Sequence, residues 1–233
     1  MPYSDFTVAT LACYLHLTPQ QVVRLAERGK LPGRKVAGEW RFSKPAIHQW
    51  LEQRIGLSDE EELIEVEQSL SNAALPDEPK QICIADLLPR EAIAIPLAAR
   101  TRNSVVTAMV ELAATTGWLW DTKAMIEAVL RREQMHTTAL AGGVALLHPR
   151  QPMHQILAQP FLALGRTTAG VPFGAELLSD VFFLICSTDD RGHLRVLARL
   201  SRLLTVPGFL GALRQSGGAD EALRLISEYE RSL

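Results

Sequence analysis

An unbroken apolar run in the C-terminal part of the chain places the strongest constraint on the fold. Residues 181–186 read Val-Phe-Phe-Leu-Ile-Cys, with no polar residue between them. A short run rich in β-branched and aromatic side chains is typical of a strand, and the lack of polar alternation indicates a sheet covered on both faces. Residues 193–204 follow with leucines at the spacing of an amphipathic helix. Strands interleaved with helices predict a layered α/β domain.

Other segments after residue 80 fit the same arrangement. Further helices are predicted at residues 103–116, 122–133, 209–214 and 220–231, and further strands at 144–147 and 161–164. Residues 168–172 are expected to pair with the strand at 161–164. Together these segments predict a mixed sheet flanked by helices.

One of these strands carries a histidine at its end. Gly142 and Gly143 precede the apolar run at 144–147, and Pro149 follows His148 at once. Since proline cannot continue a paired strand, His148 is expected where the chain leaves the sheet. A histidine held there is a candidate nucleophile. The spacing taken alone equally fits a half-buried ring that only caps the strand.

With its flanks, this stretch resembles the active-site segment of the enzyme IIA domains of the phosphotransferase system, of the fructose/mannitol and nitrogen-regulatory type. That family has a helix ending in Arg-Glu, a Ser/Thr-Gly-rich loop, and a strand that delivers the phosphorylated histidine. The matching positions here are Arg132, Glu133, Thr137, Thr138, residues 143–146 and His148. Leu147 stands where the family usually has proline.

A second histidine motif follows the apolar run at 181–186. In enzyme IIA domains this motif begins with His-Leu and continues with two leucines, each followed directly by a small residue. It is matched by His193, Leu194, Leu197, Ala198, Leu200 and Ser201. The resemblance now covers nearly all of residues 81–233, and it implies that His193 lies beside the phosphorylated histidine. Without it, His193 would be interpreted as a solvated residue at the start of a helix.

The resemblance implies reversible phosphoryl transfer. His148 would accept a phosphoryl group from a phosphohistidine on a phosphocarrier protein, because a neutral imidazole is a nucleophile near neutral pH. His193 would hydrogen-bond the phosphoryl oxygens, and Arg132 would add a charge-assisted contact. Backbone N–H groups around Gly142 and Gly143 are expected to help. The alternative for Arg132 is a solvated surface arginine.

Residues 1–54 form a separate unit with an excess of positive charge, eight Lys and Arg residues against four Asp and Glu. Helices are predicted at residues 10–15 and 19–28, strands at 34–36 and 40–42, and a last helix at 44–54. Thr18 is a good N-cap, Pro19 suits the first turn, and Gly29 ends the second helix. Two short helices followed by a β-hairpin predict a small winged helix-turn-helix domain.

This unit resembles the excisionase/MerR-like DNA-binding module. The matching positions are Arg24, Leu25, residues 29–32, Gly38, Trp40, Arg41, Trp50 and Leu51. Side chains expected to reach base edges in a major groove are Gln20, Gln21, Arg24 and Arg28. Side chains expected to contact phosphates are Lys30, Arg34, Lys35 and Arg41. The alternative is a set of solvated surface charges.

Residues 55–80 carry eight acidic residues and one lysine, and they predict an acidic linker between domains at 1–54 and 81–233. Three distant cysteines without a Cys-x-x-Cys pair fit small buried thiols in a reducing cytoplasm. No apolar run reaches the length of a membrane span. The sequence predicts no ATP, NAD or other cofactor and no metal site. The oligomeric state is left open, with a homodimer as one alternative.

The leading hypothesis is a regulator of the nitrogen-regulatory type that accepts a phosphoryl group on His148 and couples it to DNA binding. Its partners would be a phosphocarrier protein and DNA. One alternative is a DNA-binding regulator whose enzyme IIA-like domain has lost phosphotransfer and acts as a sensor, as Leu147 suggests. Another is a phosphocarrier whose helix-turn-helix is vestigial or binds protein.

Overall fold

A computed structural model describes residues 5–15, 17–43, 46–47, 50–51, 82–173 and 178–233. The chain divides into two compact units, Met1–Ile82 and Cys83–Leu233. Residues 55–80, predicted to be a linker, lie outside the described residues, as does part of the helix predicted at 44–54. The domain boundaries therefore stay predictions.

The first unit contains the predicted helices and hairpin. Its elements are α1 (Val8–Leu15), α2 (Pro19–Glu27), β1 (Arg34–Val36) and β2 (Glu39–Arg41), and residues 46–47 and 50–51 are helical. α2 begins where expected, because Thr18 Oγ1 accepts from the Gln21 N–H at 3.3 Å while Gln21 Oε1 accepts from the Thr18 N–H at 2.7 Å. Gly29 follows α2 with a φ of +66°, in the left-handed region that favours glycine.

A small core holds this unit together. β1 and β2 are antiparallel, and Lys35 pairs with Trp40. The fully buried side chains beneath them include Leu11, Val22, Phe42 and Ile47. Trp50 adds a polar link, because its Nε1 donates to the Lys30 carbonyl at 2.7 Å.

The second unit is a layered α/β domain. Its strands are β3 (Ile93–Ala94), β4 (Ala139–Leu140), β5 (Val144–Leu147), β6 (Phe161–Pro172) and β7 (Leu178–Cys186). Its α-helices are α3 (Arg102–Ala114), α4 (Thr122–Met135), α5 (Asp190–Thr205), α6 (Phe209–Gln215) and α7 (Ala219–Glu230), with 3₁₀ turns at Arg90–Ala92 and His154–Ile156.

The sheet is mixed, with strand order β3-β6-β7-β5-β4. β7 runs antiparallel to β6 and parallel to β5, so it occupies the middle of the sheet. Phe182 and Leu184 belong to the core that also contains residues of α3 and α4. Val181 and Phe183, which alternate with them along β7, are equally buried. The unbroken apolarity of residues 181–186 thus reflects a strand covered on both faces, as predicted.

The pairing expected within residues 161–172 is wrong. Instead of turning back, the chain continues as the single strand β6, and both halves of it pair with β7. The register is irregular between Arg166 and Val171, which pair with Val181 and Ser179. β7 is long enough to accept both halves, so the extra residues of β6 form a bulge rather than a turn.

Two further details differ from the predictions. α5 begins three residues before His193, because the Asp189 side chain accepts the Gly192 N–H at 2.8 Å and caps the helix there. Of the three cysteines, which are all free, Cys186 is buried, Cys83 is partly exposed and Cys13 is exposed. The expectation of three buried thiols is therefore correct only for Cys186.

Candidate functional site

His148 follows the last residue of β5, where Pro149 ends the strand. Its side chain is buried, and its Nδ1 lies 2.8 Å from the Leu146 carbonyl oxygen. A carbonyl oxygen only accepts hydrogen bonds, so Nδ1 carries the ring proton in the neutral imidazole. The lone pair is therefore on Nε2, which makes Nε2 the nucleophilic nitrogen.

His193 lies in the first turn of α5 and is also buried. Its Nδ1 lies 3.2 Å from the hydroxyl oxygen of Ser187. The centroids of the His193 and His148 rings are 5.0 Å apart, and the ring planes are inclined by 55°. Two imidazoles that are 45 residues apart in the chain thus face each other.

The strand register explains why these residues meet. β5 and β7 are parallel neighbours, and Leu147 pairs with Leu184. The carboxyl ends of the two strands therefore lie at the same edge of the sheet, where functional sites of α/β domains are usually found. At this edge His148 directly follows β5, and Ser187 directly follows β7. The Met153 N–H donates to the Ser187 carbonyl at 3.1 Å, which joins the loops that follow the two strands.

Leu147 occupies the position of the expected proline. It is fully buried, belongs to the main core and pairs with Leu184. The strand therefore keeps its regular pairing up to the residue before His148.

Arg132 and Glu133 lie near the C-terminal end of α4, and both are buried. Arg132 donates from a guanidinium nitrogen to the His136 carbonyl at 2.9 Å. The Glu133 carboxylate accepts from the Thr138 N–H at 2.9 Å and from the Thr138 hydroxyl at 2.6 Å. A third hydrogen bond comes from the Thr137 hydroxyl at 2.8 Å. These contacts hold the turn that leads from α4 into β4.

This turn lies beside the strand that carries His148. The Leu146 N–H donates to the Thr138 carbonyl at 3.1 Å, which continues the pairing of β4 with β5. Arg132 is thereby placed at the start of the segment that borders β5. The structure brings the two histidines into contact, and Arg132 precedes the segment that borders β5.

The expectation that Gly142 and Gly143 help at the site is wrong. They precede β5, whereas His148 follows it, so about 16 Å of strand separates Gly143 from His148 at a rise of roughly 3.3 Å per residue. The Gly142 carbonyl instead accepts from the Arg214 guanidinium, and Arg214 also binds Asp180 at 2.7 Å. These glycines accommodate a structural ion pair.

The residues predicted to read DNA lie on the surface of the first unit. Gln20 and Arg24 are exposed on α2, and Arg28 is exposed at the turn that ends this helix. Gln21 is exposed as well, but its amide oxygen accepts a hydrogen bond from the Thr18 N–H, so this side chain caps the helix. Lys30 is exposed just after α2.

The hairpin residues have partners of their own within the first unit. Arg34 pairs with Asp5 at 3.0 Å, and Arg41 pairs with Glu39 at 2.9 Å. The Lys35 ammonium lies 5.2 Å from the centroid of the Trp40 ring. Exposed pairs of this kind are weak, so these cations can exchange their partners for phosphates at little cost.

Sequence reasoning missed Ser187 and the role of Glu133. Ser187 directly follows the apolar run at 181–186, so a polar residue at the carboxyl end of a buried strand was the available signal. Within the described ranges, no group of three or more His, Cys, Asp or Glu residues could hold a metal ion. No single helix in the same ranges is long and apolar enough to cross a membrane.

Comparison with known families assigns both parts of the chain. Residues 86–229 match the model of the phosphoenolpyruvate-dependent sugar phosphotransferase system, EIIA 2, and residues 6–55 match a helix-turn-helix domain. A nitrogen regulatory protein of Bradyrhizobium diazoefficiens is 35% identical over 144 residues, which cover 58% of this chain and 89% of the relative.

A fructose-specific EIIABC component of Bacillus subtilis is 27% identical over 154 residues, or 64% of this chain. The chain spans only 24% of that relative. Among solved structures, the nitrogen regulatory protein IIA-Ntr of Neisseria meningitidis shares the fold, with a TM-score of 0.55 and 21% identity over 61% of this chain and 98% of that one. The chain therefore belongs to the EIIA 2 family of the phosphotransferase system and carries a helix-turn-helix domain ahead of its EIIA domain.

Proposed function

We propose that this protein accepts a phosphoryl group on Nε2 of His148 from a phosphohistidine of a phosphocarrier protein, and that this modification regulates DNA binding by its helix-turn-helix domain. The observation that supports the first half most directly is the meeting of two imidazoles, with centroids 5.0 Å apart, at the carboxyl ends of two parallel strands.

The transfer step requires little from the protein except alignment and charge stabilisation. The Nε2 lone pair of His148 attacks phosphorus, and the bond between phosphorus and the donor's imidazole nitrogen breaks. The donor nitrogen keeps the electron pair of that bond. The Leu146 carbonyl holds the Nδ1 proton throughout, so His148 keeps one tautomer ready for attack.

The surrounding residues would stabilise the phosphoryl group. His193 would donate a hydrogen bond to a phosphoryl oxygen, because its ring already lies against that of His148. Arg132 would supply a positive charge from the neighbouring segment, where it is buried and so weakly screened. A phosphoryl group with a charge of about −1.5 to −2 requires such compensation in a buried site.

A labelling experiment tests phosphoryl acceptance. The full chain is incubated with phosphoenolpyruvate, enzyme I and the phosphocarrier protein, and acid-labile phosphate on the chain is measured. We expect label on the wild type and none on His148→Ala. The matched control is His154→Ala, which removes an exposed histidine and is expected to retain the label. An unlabelled wild type, or equal labelling of both variants, contradicts the proposal.

DNA binding is proposed because Arg24 on α2 and Arg28 at its C-cap are exposed in the helix-turn-helix domain. Binding sites are first selected with the unphosphorylated full chain from a pool of random duplexes. Affinity is then measured with and without the phosphorylation system, over a salt series. We expect phosphorylation to change the affinity of the wild type but not that of His148→Ala. Failure to select any site would contradict the DNA-binding half alone.

A second function is favoured by the burial of the same histidine. His148 is only 3% exposed, and Leu147 stands where the family pattern has proline. Both observations fit an EIIA domain that no longer accepts phosphoryl groups and serves a DNA-binding regulator as a sensor or an interaction module. The labelling experiment separates the two functions, since the second expects no label on the wild type and sequence-specific DNA binding all the same.

A further inference from the structure

Ser187 occupies a buried position at the start of the segment that joins β7 to α5, beside the loop that follows His148. It follows β7 directly and is 3% exposed. Its carbonyl accepts from the Met153 N–H, and its hydroxyl oxygen lies 3.2 Å from Nδ1 of His193. The backbone contact uses only the Ser187 carbonyl, so the hydroxyl is available for the hydrogen bond with His193.

The direction of this hydrogen bond follows from the environment of the hydroxyl. Among the residues that the structure describes, the only hydrogen-bond partner of the Ser187 hydroxyl is Nδ1 of His193. If Nδ1 carried the proton instead, the buried hydroxyl hydrogen would have no acceptor among the described residues, and Nε2, which is also buried, would hold a lone pair that cannot donate to a phosphoryl oxygen. The hydroxyl therefore donates, Nδ1 accepts, and the proton of the neutral His193 ring is on Nε2.

We propose that Ser187 is a positioning residue that holds His193 in the Nε2–H tautomer, opposite to the Nδ1–H tautomer of His148. The inference rests on the proposed phosphoryl acceptance by His148. His148 then presents a lone pair at Nε2, while His193 presents an N–H. One ring is the nucleophile, and the other is a hydrogen-bond donor for the group that arrives. Two rings in the same tautomer could not divide these roles.

Ring-nitrogen NMR of the ¹⁵N-histidine-labelled full chain tests the assignment without any phosphoryl donor, because protonated and unprotonated imidazole nitrogens have well-separated ¹⁵N shifts. In the wild type we expect His193 to be protonated at Nε2, with Nδ1 shifted as a hydrogen-bond acceptor. Ser187→Ala is expected to remove the hydrogen-bond shift from Nδ1 and to let the Nδ1–H tautomer of His193 become populated. The His148 resonances report whether the site still folds, because the Leu146 backbone carbonyl holds that ring.

The same variants are then compared in the labelling experiment. Loss of one hydrogen bond that orients the donor is expected to slow labelling about three- to tenfold in Ser187→Ala. Ser187→Thr keeps the hydroxyl and is expected to restore both the ring shifts and the rate. Ser201→Ala is the matched control, since this serine is also buried and its hydroxyl has no hydrogen-bond partner among the described residues.

Two results would overturn the inference. One is a wild-type His193 protonated at Nδ1, and the other is a Ser187→Ala variant that changes neither the ring resonances nor the labelling rate. A wild type that takes up no label contradicts the proposed function instead, and the ring resonances still decide the tautomer of His193.

Discussion

The two units of this protein hold their candidate functional residues in opposite ways. In the first unit, Arg24 on α2 and Arg28 at its C-cap are exposed, and the core beneath them is formed by other side chains. In the second, His148, His193 and Arg132 are themselves buried. We therefore expect substitutions to affect function and stability separately in the first unit and together in the second.

The largest expected effect concerns the buried ion pair of Glu230 and Arg199, in which Glu230 Oε1 lies 3.1 Å from Arg199 Nε. The Glu230 carboxylate also accepts from the Ile84 N–H at 2.7 Å and from the Ala85 N–H at 3.2 Å. Glu230→Ala would remove the carboxylate from a buried guanidinium and from two backbone amides. We expect the free energy of unfolding of the second unit to fall by about 3–5 kcal/mol, as measured by urea denaturation.

An exposed carboxylate of the same helix provides the control for this variant. Glu228 is exposed on this helix, and Glu228→Ala is expected to change stability by about 0.5 kcal/mol or less. Arg199 lies two turns after His193 on α5, so Glu230→Ala is also expected to slow phosphorylation of His148. Equal stability losses in the two variants would contradict the expectation that the buried carboxylate contributes more to stability than the exposed one.

Glu133 is the next test, because three hydrogen bonds converge on its buried carboxylate. Glu133→Ala would leave the Thr138 N–H and two hydroxyls without their acceptor. We expect a loss of about 2–3 kcal/mol in stability together with slower labelling of His148, since the turn borders β5. Glu127→Ala, an exposed change on the same helix, is expected to alter neither quantity. Slower labelling without any loss of stability would show that the two properties are separable here as well.

Arg24→Ala tests the first unit. Arg24 is exposed on α2, so its removal is expected to leave the unfolding midpoint unchanged. If Arg24 contacts a base, affinity for the selected DNA falls by about 1–3 kcal/mol, as measured by a gel shift. Glu27→Ala on the same helix is the control and is not expected to weaken binding. A stability loss in Arg24→Ala would contradict the separation of function from stability in this unit.

The features that sequence patterns predicted well depend on neighbouring residues. The start of α2 follows from Thr18, Pro19 and Gln21, which are consecutive or nearly so, and the strand at 181–186 follows from its own composition. Short-range signals of this kind need no knowledge of the rest of the fold.

The features that were missed depend on strand register and on distant partners. Only the pairing of Leu147 with Leu184 brings His148 to the edge where Ser187 emerges. The expectation that His148 and His193 meet came from the family resemblance, not from their spacing. The contact of Glu230 with Arg199 joins two residues that are 31 positions apart on different helices, and no local pattern marks it.

The smallest expected effect comes from an exposed pair in the second unit, where Arg90 binds Asp220 through two hydrogen bonds, one of them 2.8 Å long. The hydrogen bond from the guanidinium lowers the pKa of the Asp220 carboxyl below its ordinary value. Such a group stabilises the fold above the pKa of the unfolded chain, and this contribution is lost as the pH falls through the lower, folded-state pKa. Arg90→Ala is therefore expected to raise the pKa of Asp220 in an NMR titration of the carboxyl carbons. Any stability difference from the wild type would be present near neutral pH and would disappear in acid.

Labelling of His148 is expected to be unchanged in Arg90→Ala, because the pair is exposed and the variant leaves no buried group unsatisfied. The second unit would then also contain exposed residues, like Arg24 of the first unit, whose effects on stability and on function are separable. In that case burial of a side chain, rather than the domain that contains it, decides whether a substitution affects both stability and function. A pKa of Asp220 that does not move would mean that the pair does not form in solution. Slower labelling would instead mean that even exposed groups of the second unit are coupled to its histidine pair.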